Sequence, residues 1–373
     1  VKFLDMCGIA GIVNDTKITN KNINNIYQSL LHRGPDSSGN WKSLDRKVCL
    51  IHTRLSIIDL SSNGNQPMHS SNGRYVIIFN GEIYNHLELR NNLTKAKKDI
   101  NWNGTSDTET VINLIEEYGF IKTLSFINGM FALCVFDKKN NSIFLARDKM
   151  GEKPLYYGKS NNIFVFASEL KAFKAYPDFD QEIDRDSLST FMHYGKIPSP
   201  SSIYRNIKKL IPGSYIEINI NENINVNRPE IYWSYQDIVN EGFKNKFEGK
   251  DSDAIFELEN HLSSAIRKQK IADVEIGAFL SGGIDSSLIV ALMQKQSLRK
   301  IKTYTIGNED SNFDESKVAL EVSQILGTEH KQLILNSENI IKAATNIAKI
   351  YDEPFADSSQ IPTYLVSKLA SND

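Results

Sequence analysis

The stretch "VEIGAFLSGGIDSSLIVALMQKQ", Val274–Gln296, decides how the last third of this chain folds. An apolar run ends at Leu280, a Ser-Gly-Gly turn follows, and an apolar-periodic segment begins at Asp285. This order predicts a buried strand, a glycine turn and a helix. Glycines let the backbone approach a ligand closely, and the free amides of a first helical turn attract an anion. The turn therefore predicts a phosphate site.

Strand and helix patterns alternate on both sides of this turn. The sequence predicts helices at 251–269, 285–296 and 314–327, and strands at 274–280, 300–307 and 330–335. Because alternation of this kind joins parallel strands through right-handed crossovers, we expect an α/β domain with a parallel sheet.

The glycine turn matches neither of the common nucleotide-binding loops. The chain has no G-x-x-x-x-G-K-[ST] sequence, and the glycine spacing is not the dinucleotide fingerprint. Asp285 is placed to hold a hard cation such as Mg²⁺ against bound phosphates. A glycine-bearing turn with a Ser/Asp helix cap is the simpler interpretation. The spacing alone leaves both open.

The first two thirds of the chain consist of short apolar strands broken by turns. Helical spacing occurs in 22–34 and 106–119, and β-branched and aromatic runs at 7–13, 47–59, 75–84, 129–137, 142–148 and 162–168. Many strands with few helices predict two packed sheets with helices outside. Residues 219–250 are rich in Asn, Lys, Glu and Gly, which predicts a linker between domains at 7–218 and 251–373.

Composition excludes several classes of protein. The chain has 373 residues, a net charge of −2, 40% hydrophobic and 24% charged residues, and no apolar run of the roughly 18 to 20 residues that span a bilayer. Nothing here favours binding to nucleic acid or to a membrane surface. The amino terminus, broken by Asp5, is too short and polar for a signal peptide.

Three cysteines occur in the chain, and they are too sparse for a disulfide framework. We therefore expect a reducing, cytoplasmic compartment. Cys49 and Cys134 lie in strand-like runs and are predicted to be buried and inert. Cys7 follows Met6 in "VKFLDMCGIAG" and is a different case. A cysteine with a free α-amine carries nucleophile and base on one residue, since their pKa values are about 8.5 and 8.

Ordered motifs along the whole chain resemble a known family. "SGGIDSS" resembles the pyrophosphate loop of the ATP-pyrophosphatase superfamily. The first two thirds resemble a class II glutamine amidotransferase domain of the N-terminal-nucleophile type. The motifs are "MCGIAGI" (Met6–Ile12), "HRGPDSSG" (His32–Gly39), "HTRLSIID" (His52–Asp59), "FNGEIYN" (Phe79–Asn85), "SDTE" (Ser106–Glu109) and "ARDKMGEKPLYY" (Ala146–Tyr157). Together they are similar to the glutamine-hydrolysing asparagine synthetase family from Met6 to Asp373.

The resemblance implies a fold and an activity. The fold would be an α+β domain, an αββα sandwich of the Ntn-hydrolase type, followed by an incomplete α/β parallel-sheet ATP-pyrophosphatase domain. Glutamine would be hydrolysed at Cys7, and the ammonia would amidate an aspartyl-adenylate made from ATP, with release of AMP and pyrophosphate. ATP and Mg²⁺ are the implied cofactors, glutamine and aspartate (or another acceptor) the substrates. Whether the protein forms a homodimer stays open.

The resemblance also implies the roles of individual residues. Cys7 would attack the γ-amide carbon, Asn80 and the Gly81 amide would form the oxyanion hole, Arg54 would clamp the α-carboxylate and Asp107 the α-ammonium. The remaining glutamine-binding residues would be Leu55, Ser56, Ile57, Ile58 and Glu82. The ATP-binding residues would be Leu280, Ser281, Gly282, Gly283, Asp285, Ser286 and Ile306, with Leu280 and Ile306 beside the adenine and Asp285 on the Mg²⁺.

Processing and acceptor choice raise further expectations. The chemistry needs Cys7 as first residue, so Met6 would be the initiator and Val1–Asp5 a start-site artefact or short propeptide. The segment Tyr351–Tyr364 should face the acceptor, but it has no arginine to grip a second carboxylate. Two alternatives therefore stay open: an amidotransferase acting on another carboxylate or a sugar, and a non-catalytic relative. Phosphosugar and phosphoribosyl amidotransferases lack the SGGIDSS motif.

The end of the chain carries an expectation of its own. In the resembling family a second motif, SGxGxDE, follows the phosphate loop, and none occurs between Ser287 and Asp373. We therefore expect a truncated chain that hydrolyses glutamine but does not convert ATP to AMP.

Overall fold

The computed structural model describes residues 6–13, 18–97, 100–160, 163–176, 179–220, 224–309 and 314–373. These residues form two compact units. The amino-terminal unit runs to Asn240 and includes Asp352–Ala356, and the carboxy-terminal unit comprises Glu241–Tyr351 and Asp357–Asp373. The expected propeptide, Val1–Asp5, lies outside the described residues.

Two antiparallel sheets build the amino-terminal unit. The strands are β1 Gly8–Val13, β2 Ser37–Lys42, β3 Val48–Arg54, β4 Met68–His69, β5 Tyr75–Ile83, β6 Gly129–Asp137, β7 Ser142–Arg147, β8 Tyr156–Ser160, β9 Ile163–Ala167, β10 Ile207–Lys209, β11 Ser214–Ile220, β12 Ile224–Val226 and β13 Glu230–Ile231. Within the described residues, the first sheet has the order β10-β8-β9-β1-β3-β2. The second has the order β12-β11-β7-β6-β5-β4, with β13 also paired to β11.

Helices cover the outer face of each sheet. The helices of this unit are α1 Asn20–Leu30, α2 His86–Ala96, α3 Asp107–Tyr118, α4 Phe120–Phe126, α5 Leu170–Lys174, α6 Arg185–Tyr194 and α7 Tyr235–Lys244, whose last residues belong to the other unit. One core lies between the sheets, a second joins α1 and α5 to the first sheet, and a third joins α3 and α4 to the second sheet. The predicted αββα sandwich is confirmed.

Burial on both faces of the sheet explains why the sequences of these strands are unbroken runs of apolar residues. All seven residues of β3 are buried, since one face meets the other sheet and the opposite face meets α1. Cys49 in β3 and Cys134 in β6 are fully enclosed, and burial raises the pKa of the Cys49 thiol to about 11. The prediction that both are buried is confirmed.

The carboxy-terminal unit is a parallel three-layer fragment. Its strands are β14 Gly277–Phe279, β15 Lys302–Asn308 and β16 Glu329–Leu335, and its helices α8 Asp251–Gln269, α9 Ile284–Lys295, α10 Ser316–Leu326, α11 Ser337–Ile350 and α12 Gln360–Ser371. Both strand pairs in the described residues are parallel, in the order β14-β15-β16. The predicted strand–helix alternation is confirmed. Among the described helices, none is long and apolar enough to cross a membrane.

The first half of the region expected to be a linker contains a β-strand of the amino-terminal unit. β12 pairs with β11 through Ile218 opposite Val226, and Ile224 and Val226 pack against the core between the sheets. Alternating isoleucine and valine among many asparagines give a polar average composition, which conceals an edge strand. The boundary between the units falls after Asn240 instead of across all of 219–250.

Candidate active site

Cys7 lies directly before β1, and its partner is the chain leaving β3. Because Gly8 stands opposite Thr53 in the antiparallel register, Leu55 falls beside Cys7. The Cys7 thiol donates to the Leu55 carbonyl at 3.6 Å, and the Leu55 amide donates to Sγ at 3.4 Å. Cys7 is half-buried, and burial raises the pKa of its thiol. The thiol therefore needs a nearby base to react at neutral pH.

Asn80 carries a buried amide without a partner. The side chain, on β5, is only 1% exposed, and neither its amide nitrogen nor its oxygen has a hydrogen-bond partner among the described residues. Buried polar atoms are normally satisfied, so an unsatisfied amide indicates a functional position. Gly81 follows, where an added Cβ would lie 2.1 Å from the Met130 carbonyl oxygen. Only glycine fits there.

His52 is enclosed near this strand and is not available as a base. Its Nε2 lies 3.1 Å from the Phe79 carbonyl oxygen, which ties β3 to β5 just before Asn80. Burial lowers the pKa of His52 to about 3, so the imidazole is neutral at physiological pH. Its role is to hold the two sheets in register.

Asp107, close to the thiol, and its neighbour Glu82 make no ion pair among the described residues. Asp107 is the first residue of α3, which Ser106 caps, and it accepts hydrogen bonds from the amides of Ile83 at 2.9 Å and Thr108 at 2.8 Å. Burial, and then the charge of Glu82, raises the pKa of Asp107 to about 7, and burial also raises that of Glu82. Among the described residues no cation lies within ion-pair distance of either carboxylate. The site is therefore suited to a ligand's ammonium group.

Arg54 is engaged by the loop that follows it. Its Nη1 donates to the Ser61 carbonyl at 2.7 Å and to Asn65 Oδ1 at 3.0 Å, and its Nη2 donates to the carbonyls of Ile58 and Asp59. These four bonds occupy both Nη groups of Arg54. The expected clamp on a carboxylate would therefore require Arg54 to exchange loop carbonyls for ligand oxygens.

The predicted lining segment lies on this same loop. The half-buried residues Leu55, Ser56, Ile57 and Ile58 follow β3, and the Ser56 amide donates to the Asp36 carboxylate at 2.9 Å. At the far end of the loop, the Thr105 amide donates to Asp59 at 2.8 Å, two residues before Asp107. The loop, Cys7 and the start of α3 are thus brought together.

Arg33, which holds the Cys7 backbone, and Glu169, which holds Arg33, were not assigned roles from the sequence. Arg33 donates through Nε to the Cys7 carbonyl at 3.0 Å and pairs with Glu169 at 2.6 Å. His32 and Lys171 also contact Glu169, at 3.0 and 2.8 Å. Burial would raise the pKa of Glu169, but these partners outweigh burial and lower it. Arg33 lies in the "HRG" motif, which could have marked it as a site residue. Glu169 lies in an ordinary helix-start sequence, which marks no function.

The phosphate-loop residues lie at the start of α9. Gly283 precedes the helix and, being glycine, supplies no side-chain cap, while its own amide donates to Ser281 Oγ at 3.4 Å. Ser281 Oγ and Ser286 Oγ lie 2.9 Å apart. Gly282 has a φ of +79°, and an added Cβ would lie 2.9 Å from the Ala319 nitrogen. The turn therefore requires glycine on both conformational and steric grounds.

The residues expected beside the adenine differ in exposure. Leu280 is 1% exposed and packs against Val290 and Ala319, so only its main chain can meet a ligand. Ile306 is partly buried against Leu335. Enclosure of Leu280 follows from its place at the end of β14, where the helices cover the sheet.

The expected Mg²⁺ site offers a single carboxylate. No cluster of three metal-ligating side chains occurs in the part of the chain that the structure describes. Asp285 is exposed in the first turn of α9. Since Mg²⁺ commonly takes one or two carboxylates together with substrate phosphates, this donor set fits a phosphate-bridged ion and not a protein cage.

Part of the segment expected to face an acceptor is bound to the amino-terminal unit. Asp352 and Glu353 belong to the amino-terminal unit, where Asp352 pairs with Lys171 at 3.3 Å and Glu353 with Lys209 at 2.5 Å. The Ile203 amide also donates to Glu353 at 2.8 Å. These two carboxylates are therefore occupied by protein partners. The sequence carried no sign of such long-range pairing.

Comparison with known proteins agrees with this architecture. Residues 6–233 match the glutamine amidotransferase domain family, and residues 257–373 match the asparagine synthase family. The fold and the matches define a class: a glutamine amidotransferase domain of the Ntn type joined to a synthetase domain.

Individual relatives narrow this class. The chain is 36% identical to the provisionally named asparagine synthetase (glutamine-hydrolyzing) 2 of Methanocaldococcus jannaschii, over 98% of this chain and 72% of the relative. It is 35% identical to asparagine synthetase (glutamine-hydrolyzing) 1 of Bacillus subtilis, over 98% of this chain and 56% of the relative. The chain belongs to the glutamine-hydrolysing asparagine synthetase family.

The chain spans 72% of the length of the first relative and 56% of the second. A solved structure of glutamine phosphoribosylpyrophosphate amidotransferase from B. subtilis matches 93% of this chain and 69% of its own, at 17% identity. Its TM-score of 0.45 is too low to add to the family assignment.

Proposed function

We propose that this chain carries the glutamine-hydrolysing half of asparagine synthesis and the phosphate loop of its ATP-dependent half. Glutamine is hydrolysed to glutamate at Cys7. The ammonia amidates an aspartyl-adenylate that is made from ATP, and AMP and pyrophosphate are released. The proposal rests on the family membership together with the geometry around Cys7.

The observation that carries the glutaminase proposal is the buried carboxylate of Asp107 near the thiol, which has no ion-pair partner among the described residues. Leaving a carboxylate enclosed and unpaired costs free energy, which the α-ammonium of an amino acid would recover. Glutamine places its γ-amide a few bonds from that ammonium. Binding at Asp107 therefore directs the amide toward Cys7.

Each step of hydrolysis then has a named group. The free α-amine of Cys7 takes the thiol proton, and Sγ attacks the carbonyl carbon of the side-chain amide of glutamine to form a tetrahedral intermediate. The oxyanion is stabilised by the unpaired amide of Asn80 and the Gly81 N–H, and loss of one such donor costs about 10²–10³ in rate. The protonated amine returns its proton to the leaving ammonia. Water then attacks the thioester and releases glutamate.

This mechanism requires Cys7 to be the first residue. Within a peptide bond the nitrogen is not basic, and His52 is neutral and engaged with the Phe79 carbonyl. Met6 would therefore be removed together with whatever precedes it. Arg54 would turn from its loop carbonyls toward the substrate carboxylate.

The ATP-dependent half involves the turn before α9. The Ser281 and Ser286 hydroxyls, the Gly282 and Gly283 amides and the positive end of the α9 dipole would bind the phosphates. Asp285 would hold Mg²⁺, which neutralises phosphate charge when bound. Ile306 and the Leu280 main chain would lie by the adenine. Aspartate is the proposed acceptor.

Two assays test the two halves separately. Glutamate formation from glutamine, measured on protein whose amino terminus is Cys7, tests the glutaminase; no turnover would contradict it. Pyrophosphate release with ATP, Mg²⁺ and a panel of acceptors tests the synthetase. Release with aspartate alone supports the proposal, and release with another carboxylate or a sugar favours the alternative acceptor. The expectation that ATP turnover needs the SGxGxDE motif stays a prediction. The pyrophosphate assay on this chain tests it as well.

A further inference from the structure

Lys153 is a buried lysine beside the residue that precedes the nucleophile. It lies between β7 and β8 and is 5% exposed. Its Nζ lies 2.6 Å from Met6 Sδ. The backbone of Lys153 is held firmly, because its amide donates to the Asp148 carboxylate at 2.9 Å and its carbonyl accepts from Arg147 at 2.7 Å. The ammonium group is therefore held at the amino end of β1.

The charged groups that face Lys153 come from four places in the unit. They are Glu82 on β5, Arg33 after α1, Glu152 in the adjacent loop and the Cys7 thiol. No carboxylate of the described residues lies within ion-pair distance of Nζ. Burial lowers the pKa of Lys153, partly offset by Glu82. A lysine buried without a paired carboxylate is costly, so a structural role alone explains it poorly.

Covalent geometry limits the distance to the nucleophile's nitrogen. Met6 Sδ is three bonds from its Cα, and that Cα is two bonds from the Cys7 nitrogen, so Lys153 Nζ lies within about 9 Å of this nitrogen. Removal of Met6 turns the nitrogen into an amine that can bind a proton. Two ammonium groups in one partly buried site repel each other.

We propose that Lys153 is a positioning residue that keeps the α-amine of Cys7 neutral at physiological pH. This inference rests on the proposed glutaminase function. At about 9 Å, and with an effective dielectric constant between about 20 and 80, one cation lowers the pKa of a neighbouring amine by about 0.3 to 1.4. The amine is then free to accept the thiol proton and to return it to the leaving ammonia.

The test compares three variants with the wild type. Lys153→Met removes the charge, Lys153→Arg keeps it, and Lys139→Met removes an exposed lysine from the turn at the opposite end of β7. Glutamine kcat, at saturating glutamine, is measured against pH on protein that begins at Cys7, because KM also follows the charge of Asp107. Circular dichroism and thermal melting check that each variant is folded.

We expect the acid limb of the Lys153→Met profile to move up by about 0.3 to 1.4 pH units, because the amine regains basicity. Activity below the limb should fall about 2- to 25-fold and recover at high pH. Lys153→Arg and Lys139→Met should keep the wild-type profile. An unmoved limb in Lys153→Met, or an equal loss at every pH, would overturn the inference.

A second readout separates this inference from the proposed function. In a Cys7→Ala background no thiol titrates, and the pKa of the α-amine follows from the pH dependence of amino-terminal acetylation, read by mass spectrometry. Adding Lys153→Met should raise that pKa by the same amount. A raised pKa in a protein without glutaminase activity would sink the proposed function but keep the inference. An unchanged pKa would sink the inference whatever the activity.

Discussion

Cys7 differs from the other two cysteines in what surrounds it. Cys49 and Cys134 are enclosed by apolar side chains, whereas Cys7 contacts the Leu55 backbone and lies near the charges of Asp107, Arg33 and Arg54. A thiol in such polar surroundings, at the edge of a site, is the one placed to react.

Replacing Cys7 should separate chemistry from binding. We expect Cys7→Ala to reduce glutaminase turnover below about 1% of the wild type, because no other group can form the thioester. Glutamine binding, measured by calorimetry, should change little, since Asp107 and Arg54 supply the proposed contacts. Cys49→Ala, on the neighbouring strand, is the control for loss of a thiol. Substantial turnover by Cys7→Ala would refute its assignment as nucleophile.

Asp107 should make glutamine binding depend on pH. Its pKa is raised to about 7, so the carboxyl group is neutral below that pH and charged above it. The neutral form stabilises the free fold, and this contribution is lost as pH rises from about 4 through 7, on the order of 4 kcal/mol at most. The substrate's ammonium needs the charged form.

We therefore expect the KM for glutamine to rise as pH falls from 8 to 6, with a midpoint near 7. Steady-state kinetics across this range measure it. Asp107→Asn should have a high KM that no longer follows pH in this window. A wild-type KM that is flat from pH 6 to 8 would mean that Asp107 does not hold the ammonium.

At the scale of elements, the segment Asp352–Ala356 is the least expected feature of the amino-terminal unit. Glu353 accepts from the Ile203 amide and from the Tyr156 hydroxyl, and pairs with Lys209. The side chains of Lys209 and Glu353 are 14% and 11% exposed. Through Glu353 the segment is thus bound to β8, to β10 and to the loop before β10, although these lie more than a hundred residues earlier in the chain.

Breaking this buried pair should destabilise the amino-terminal unit. Glu353→Gln leaves Lys209 charged and enclosed without its partner, which costs about 3 kcal/mol. The matched control is Glu182→Gln, whose partner Arg205 is 64% exposed. That change should cost under about 1 kcal/mol. Urea unfolding measures both, and equal costs would show that the Glu353 contacts add nothing.

At the scale of the whole molecule, the two proposed chemistries belong to separate units. The glutaminase residues lie between Cys7 and Asp107, and the phosphate-loop residues between Leu280 and Ile306. Each unit has its own hydrophobic core. Damage to one site should therefore leave the local chemistry of the other intact.

Paired variants test this separation in a protein that shows both activities. Asp285→Ala should abolish aspartate-dependent pyrophosphate release and leave hydrolysis of glutamine within about twofold, because Asp285 and Cys7 belong to different units with separate cores. Cys7→Ala should abolish synthesis from glutamine but not from added ammonium. Loss of both activities in either variant would contradict the assignment of one chemistry to each unit.

Local sequence signals predicted most elements and the proposed site residues. The helix at 251–269 was expected and observed, because its periodicity and ends are set within the segment itself. The "FNGEIYN" and "SDTE" motifs marked Asn80 and Asp107 through their resemblance to the family. β2 was not predicted, since its sequence "SSGNWK" is polar and pairs only because β3 stands beside it.

What the sequence by itself determined is the order of strands, turns and helices and the glycine positions, since each depends on neighbouring residues. The assignment of Cys7 as nucleophile stays a prediction. Only the tertiary structure decided which distant groups share an environment. It brought Glu169 to Arg33, Glu353 to Lys209 and Lys153 to Met6. Charge and burial act through space, so a side chain's pKa and partners depend on residues that lie far away along the chain.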